Sequence, residues 1–314
     1  MRAVWVIRRR TLLGILAALL LVATLGLLAA VRAWRGEPSA SLTHGPAACG
    51  LPGLPDPTLY SVPTADGLAW SVAPPPALLQ LQAELAAPVV VGAYQIHLRE
   101  LLFEEAANVR LGAALLQGQI LRPGERFSFN ERVGPYTYER GFRDGPEYRG
   151  GQVVAAPGGG ICKVASALFN AAVLAGLTIE ERHPHSMQVP YVPPGQDAAI
   201  TYPSKDLRLR NDRESPVILW AEVQDRTLTV ALYGGYEPPL VEWHHQILER
   251  VPHGRIRRPQ ADLATGQERV AIQGLDGLRI RSWLTTIEPD GRRHQTDLGI
   301  TLYHPRPEVV EYAP

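Results

Sequence analysis

Cysteine is scarce in this chain, with two among 314 residues, Cys49 and Cys162. Two thiols build neither a disulfide-stapled scaffold nor a structural zinc site of several thiolates. Lysine is equally scarce, at Lys163 and Lys205 only. Arginine supplies the rest of the basic residues, a compositional bias rather than a functional signal. An excess of one charge is lacking too, because 31 acidic side chains balance 31 basic ones. Binding a phosphate backbone needs surplus cations, so nucleic acid is excluded as the main partner. The chain is 46% hydrophobic and 20% charged, which excludes wholesale disorder and leaves enough apolar surface for a core. The length predicts roughly two domains. Twenty-eight prolines and 29 glycines predict many turns and at least one extended linker.

Long apolar runs are also rare, but there is one. Arg2, Arg8, Arg9 and Arg10 precede an uncharged stretch of 21 residues from Thr11 to Val31. At 1.5 Å per residue a helix of that length matches the ~30 Å hydrocarbon core of a bilayer. The apolar core of a cleaved signal peptide is shorter, ~7–15 residues, and Arg32 interrupts the region where cleavage would fall. The expectation is an uncleaved single-pass anchor. Its arginine-rich end lies in the cytoplasm and everything after residue 35 is extracytoplasmic. The expected location is the cell membrane, with the lipid bilayer as one partner.

Four segments are expected: the basic end and anchor over 1–35, a Pro/Gly-rich linker over 36–79, a chemistry-bearing domain over 80–235, and a small β-rich module over 236–314. In the third, Pro88 to Leu98 alternates as a strand, and Phe103 to Gln117 has helical spacing through Val109, Leu111, Ala114 and Leu115. Pro123-Gly124 makes a turn, with Phe127 and Phe129 alternating after it. Residues 141–151 read as loop, and Gln152 to Ala155 as a short strand. Ile161 to Ala175 is a helix by the spacing of Val164, Leu168, Ala171, Ala172 and Ala175, with Gly176 as its stop. Strands are predicted at Thr178–Glu181, Met187–Val192, Ala198–Tyr202, Val217–Val223 and Thr227–Tyr233. The last segment has strands at Val270–Ile272, Leu278–Ile287 and Gly299–Tyr303. It holds no acid–base cluster, so packing or adhesion is expected of it rather than chemistry. The fold class is α+β.

The chemistry concentrates at Gly158-Gly-Gly-Ile-Cys162, directly before a helix. Glycines permit positive φ and close approach. A helix N-terminus presents unpaired N–H groups and partial positive charge, which favour a thiolate over a thiol. Lys163 adds to that field, and N–H groups around Gly159 and Gly160 are candidates for an oxyanion hole. His183-Pro-His185 begins 21 residues after Cys162, so the helix and a returning strand bring an imidazole back toward the helix start. Cys at a helix N-terminus facing His on a strand is the arrangement of papain-like and transglutaminase-like acyl-transfer enzymes. Asp197 is a candidate to orient the imidazole. Ser166 and Asn170, one and two turns past Cys162, are candidates to line the same face. Two other readings stay open: a small buried cysteine after simple turn glycines, and a Cys49–Cys162 disulfide. Cys162, His183 and His185 lack a fourth ligand at the usual spacing for a metal, and no cofactor is expected.

Several ordered stretches resemble the VanW family, named for a protein encoded with some vancomycin-resistance operons. They are Arg122-Pro-Gly-Glu-Arg-Phe-Ser-Phe-Asn130, Val133-Gly-Pro135, Glu139-Arg-Gly-Phe142 and Gly158-Gly-Gly-Ile-Cys162. The matches continue through Glu181-Arg-His-Pro-His-Ser186, Tyr191-Val-Pro-Pro-Gly195 and Asp197-Ala198, covering roughly residues 105 to 235. Lys163 stands where the family usually has Gln, and Ala165-Ser166 where it has Ser-Ser. The resemblance implies a cell-envelope role with peptidoglycan as partner. For some members it implies L,D-transpeptidase-like cross-linking of stem peptides through a cysteine acyl-enzyme, which would fall to Cys162 and to His183 or His185. The alternative is a non-enzymatic wall-binding or envelope-assembly protein. The C-terminal part, with Gly266, Gly274, Gly277 and Gly291 among short strands, is similar to a G5 module, which is associated with cell-wall glycans.

Overall fold

The computed structural model describes residues 60–99, 101–149 and 152–314. The expected anchor at Thr11–Val31 and Cys49 lie outside the described residues. Among those described, no helix is long and apolar enough to cross a membrane. In chain order the first half runs β1 (Tyr60–Ser61), α1 (Pro76–Glu84), β2 (Val89–His97), α2 (Glu105–Leu116), β3 (Gln119–Leu121), β4 (Arg126–Ser128) and α3 (Phe129–Val133). Then come β5 (Asp144–Arg149), β6 (Gln152–Pro157), α4 (Ile161–Leu174), β7 (Thr178–Glu181), β8 (Arg208–Arg210), β9 (Val217–Gln224) and β10 (Thr227–Gly234). The last stretch is all strand: β11 (Leu240–Val251), β12 (Arg255–Pro259), β13 (Glu268–Ile272), β14 (Gly277–Ile287), β15 (Arg293–Tyr303) and β16 (Glu308–Tyr312). The mixture of helices and antiparallel strands is α+β.

The platform is an antiparallel sheet in the order β1-β2-β10-β9-β3. Successive side chains of a strand point to opposite faces, and β9 shows the consequence. Val217, Leu219 and Ala221 join the core beneath α2 and α4, whereas Ile218 and Trp220 join a second cluster on the far face with Leu68, Trp70 and Leu78. Helix α4 is covered on all sides, and every residue except Cys162 and Lys163 is buried. It can lie this close to the sheet because β2 carries Gly92, where a Cβ would stand 2.2 Å from the Ala171 carbonyl oxygen.

Four expectations are corrected. Residues 60–79 are not spacer: Tyr60 and Ser61 pair with β2, and Trp70 is buried with its Nε1–H donating to the Tyr233 hydroxyl at 2.6 Å. Phe129 does not extend a strand but opens α3, because the Ser128 hydroxyl caps it by accepting the Glu131 N–H. Residues 144–149, read as loop, form a hairpin with β6. Met187–Val192 and Ala198–Tyr202 are not strands; the stretch after β7 is irregular apart from a Thr201–Lys205 bridge. Pro190, Pro193 and Pro194 remove ladder donors there, and side chains of α4 hold the segment instead.

The C-terminal strands form two three-stranded sheets, β11-β14-β15 and β12-β16-β13. Strands β11, β12 and β16 escaped the sequence reading. In β11, Val241, Trp243 and Ile247 alternate with Glu and His rather than forming an apolar run.

Candidate active site

The site grows from the turn between β6 and α4. Gly158 and Gly160 have φ values of +82° and +98°, in the region open to glycine at little cost. A Cβ on Gly160 would stand 2.4 Å from Cγ of Glu105, so the turn also makes room for a buried carboxylate under the helix start. Glu105 forms an ion pair with Lys163, whose ammonium lies 5.1 Å above the Tyr191 ring. The Gly159 N–H donates to Ala156 at 3.1 Å. The N–H groups of Gly160 and Cys162 have no acceptor among the described residues.

Cys162 is the second residue of α4, half-buried and a free thiol. Its sulfur accepts the Ile200 N–H at 3.4 Å and lies 3.8 Å from the Ile200 carbonyl oxygen. Burial works to raise the thiol pKa. The His185 imidazole, the Ile200 N–H and the Lys163 charge outweigh it, and the thiol titrates below its ordinary value. His185 Nδ1 lies 2.6 Å from Asp197 Oδ2, and the same oxygen accepts the His185 backbone N–H at 2.6 Å. Nε2 lies 3.5 Å from the Tyr191 hydroxyl. Burial disfavours a charged His185, but Asp197 and the Cys162 sulfur override it and push the pKa up to about 9.

Asp197 is fully buried. Burial alone would raise its carboxyl pKa; donation from His185 and the nearby Arg182 charge bring it down to about 2. Arg182 reaches Oδ1 at 2.8 Å and the Asp197 carbonyl oxygen at 2.6 Å. The Tyr303 hydroxyl donates to Oδ1 as well. His185 and Asp197 thus form an imidazole–carboxylate pair whose charge acts on the Cys162 sulfur, an arrangement that can hold a thiolate against an imidazolium.

The sequence candidates divide on this geometry. His183 is not brought to Cys162: its Nε2 lies 2.8 Å from Glu181 Oε1, because Pro184 separates two histidines that face different ways. Ser166 and Asn170 do not line an open face. Both are fully buried; the Ser166 hydroxyl accepts the Ala198 N–H at 2.9 Å, and Asn170 Nδ2 donates to Gln196 at 2.8 Å. They fasten the 196–200 segment that carries Asp197 and Ile200. Gly159 drops out as an oxyanion donor because its N–H is already bonded. Arg182, Tyr191, Glu105 and Tyr303 were not singled out from sequence. Arg182 adjoins His183-Pro-His185, a visible hint of an acidic partner. Tyr303 stands 106 residues from Asp197 and gives no local signal. A groove of about 390 Å³ runs between the α4 end and β14–β15, lined by Phe169, Val173, Arg182, Arg213 and Leu284, and does not include Cys162.

The family model described as VanW like protein matches residues 104–233, the stretch that holds Cys162, His185 and Asp197. YoaR of Bacillus subtilis (strain 168) is 38% identical over 126 residues, which is 40% of this chain and 42% of that protein. The vancomycin B-type resistance protein VanW of Enterococcus faecalis (strain ATCC 700802 / V583) is 28% identical over 155 residues, 48% of this chain and 54% of that protein. The chain thus spans about half the length of these curated relatives. Among solved structures, HP0197-G5 overlaps 24% of the chain and 99% of its own at 17% identity and a TM-score of 0.14. The IgA1 protease G5 domain overlaps 25% of the chain and 95% of its own at 16% identity and a TM-score of 0.17. The glycine turn, the cysteine helix and the His-Pro-His segment all fall inside residues 104–233, the stretch similar to VanW like protein.

Proposed function

We propose that this chain is a membrane-anchored, extracytoplasmic envelope protein whose Cys162 transfers acyl groups on peptidoglycan stem peptides. The observation that carries this reading is a half-buried thiol at a helix start whose pKa is lowered by His185, itself held by Asp197. The name of the Enterococcus faecalis relative places that protein in vancomycin resistance, which agrees with a wall substrate. In the proposed reaction, the Cys162 proton resides on His185 and the thiolate attacks an amide carbonyl carbon. The N–H groups of Gly160 and Cys162 face the developing oxyanion. His185 returns its proton to the departing amine, leaving a thioester. An incoming amine or water, giving its proton to His185, attacks the thioester and regenerates the thiol. Amide exchange needs no nucleotide, which suits the proposed compartment.

The test is acylation by a carbapenem, read by intact mass. One adduct on the wild-type protein, absent from Cys162→Ala, is expected. A second reading, a non-enzymatic envelope-assembly protein, draws on the two hydrogen-bonding contacts that tie the sulfur to Ile200, as befits a structural thiol. Failure of folded, reduced protein to react, with unaltered wall cross-linking in a Cys162→Ala strain, would decide for that second reading.

A further inference from the structure

The C-terminal module reaches into the site at several points on the segment between His185 and Asp197. The His304 N–H donates to the Ser186 carbonyl at 2.7 Å, and Gln188 Nε2 donates to the Asp276 carbonyl at 2.7 Å. Nε2 of His245 on β11 lies 3.1 Å from Nε2 of Gln196. The innermost contact is Tyr303, the last residue of β15. It is 1% exposed, packed with Leu278 and Ile280. Its hydroxyl accepts the Gly195 N–H at 2.7 Å and donates to Asp197 Oδ1. One phenol therefore fixes both the backbone entering Asp197 and the carboxylate oxygen turned away from His185.

We infer that Tyr303 is a positioning residue of the Cys162 site, supplied by the C-terminal module, and that it keeps Asp197 ionised and aimed at His185. The inference rests on the reading of Cys162, His185 and Asp197 as a working cluster. A buried carboxylate that loses a hydrogen-bond donor is less stable in its charged form. With Tyr303 truncated, Asp197 takes up a proton at higher pH and releases His185, and the thiolate loses its cation. The other groups around the cluster stay in place. Arg182 remains on Oδ1, Tyr191 beside His185, and Lys163 with Glu105 beside the sulfur. His245 faces Gln196 rather than Asp197.

The experiment is the pH dependence of Cys162 alkylation by iodoacetamide in the full chain. Tyr303→Phe is expected to move the acid limb upward by about one pH unit, seen as a roughly tenfold slower reaction on that limb. Ile280→Val trims the same packing cluster and keeps the hydroxyl. It is expected to lower Tm and leave the limb where it was, as a purely structural role would. Should Tyr303→Phe fail to fold, 3,5-difluorotyrosine at position 303 keeps the ring and strengthens the donor, and the limb is expected to move down. A wild-type limb in folded Tyr303→Phe or in the difluoro protein, with a shifted limb in Asp197→Asn, would overturn this inference and leave the cluster standing. No shift in Asp197→Asn either would overturn the cluster reading itself.

Discussion

At Cys162 burial and neighbours pull the thiol in opposite directions. Burial favours the neutral thiol; His185, the Ile200 N–H and Lys163 outweigh it and lower the pKa. Removing the imidazole therefore has a signed consequence. His185→Asn is expected to slow Cys162 alkylation near pH 6 by about tenfold or more, since each unit of thiol pKa regained is a factor of ten. His183→Asn, whose ring is turned to Glu181, is expected to leave the rate unchanged. The same pair makes stability depend on pH. His185 has a folded pKa of about 9 against an ordinary 6.5. Its contribution is fully present below pH 6.5 and disappears as pH rises through about 9. Urea unfolding at pH 6 and at pH 9 should show this loss in the wild type, and His185→Asn should remove it. Cys162, its glycine turn and Asp197 were legible in sequence because their chemistry is local and their spacing short. The choice between His183 and His185 was not, because both follow the same strand and only the position of Asp197 across the fold separates them.

Elements here are set by close approach more than by propensity. Helix α4 sits against β2 at Gly92, with the Ala171 carbonyl filling the space a methyl would need. Gly92→Ala must push the helix off the sheet, and overpacking of this kind costs about 1–3 kcal/mol. A thermal melt is the check, and an unchanged Tm would show that the sheet yields at that point. The irregular 182–207 stretch is the converse case. Met187–Val192 and Ala198–Tyr202 within it read as strands from their apolar residues, Val189, Tyr191, Val192, Ala199 and Ile200, all of which are buried. Apolar burial, however, arises from α4 on one side without any strand partner on the other. Several of its backbone bonds go to side chains, with Ser166 taking the Ala198 N–H and Cys162 the Ile200 N–H. Such bonds join residues over 30 positions apart and leave no periodic trace. Ser166→Ala leaves the buried Ala198 N–H unpaired, a loss of about 1–3 kcal/mol, and is expected to lower Tm accordingly.

Across the molecule, residues 236–314 are joined to the VanW-like stretch by apolar, polar and ionic contacts together. Trp243 of β11 meets Phe169 of α4 edge-on with ring centroids 5.9 Å apart, and Val241 and Leu284 belong to the main core. The Tyr236 hydroxyl donates to the Ala175 carbonyl at 2.8 Å, just past the end of α4. Arg213 joins Gly176 to Glu288, with Nη1 2.8 Å from the carboxylate. This ion pair is largely buried on both sides, so truncating one partner strands the other charge, a loss of about 3–5 kcal/mol. Domains with a polar, water-filled border unfold separately, whereas a shared core couples them. The described residues from Tyr60 onward, which fall in one compact unit, are therefore expected to unfold in a single calorimetric transition. Arg213→Ala should shift that whole transition down without splitting it. Two transitions in the wild type would mean that the Phe169–Trp243 contact does not couple the module to α4, and the dependence of Cys162 on Tyr303 would then have to be carried by the hydroxyl alone.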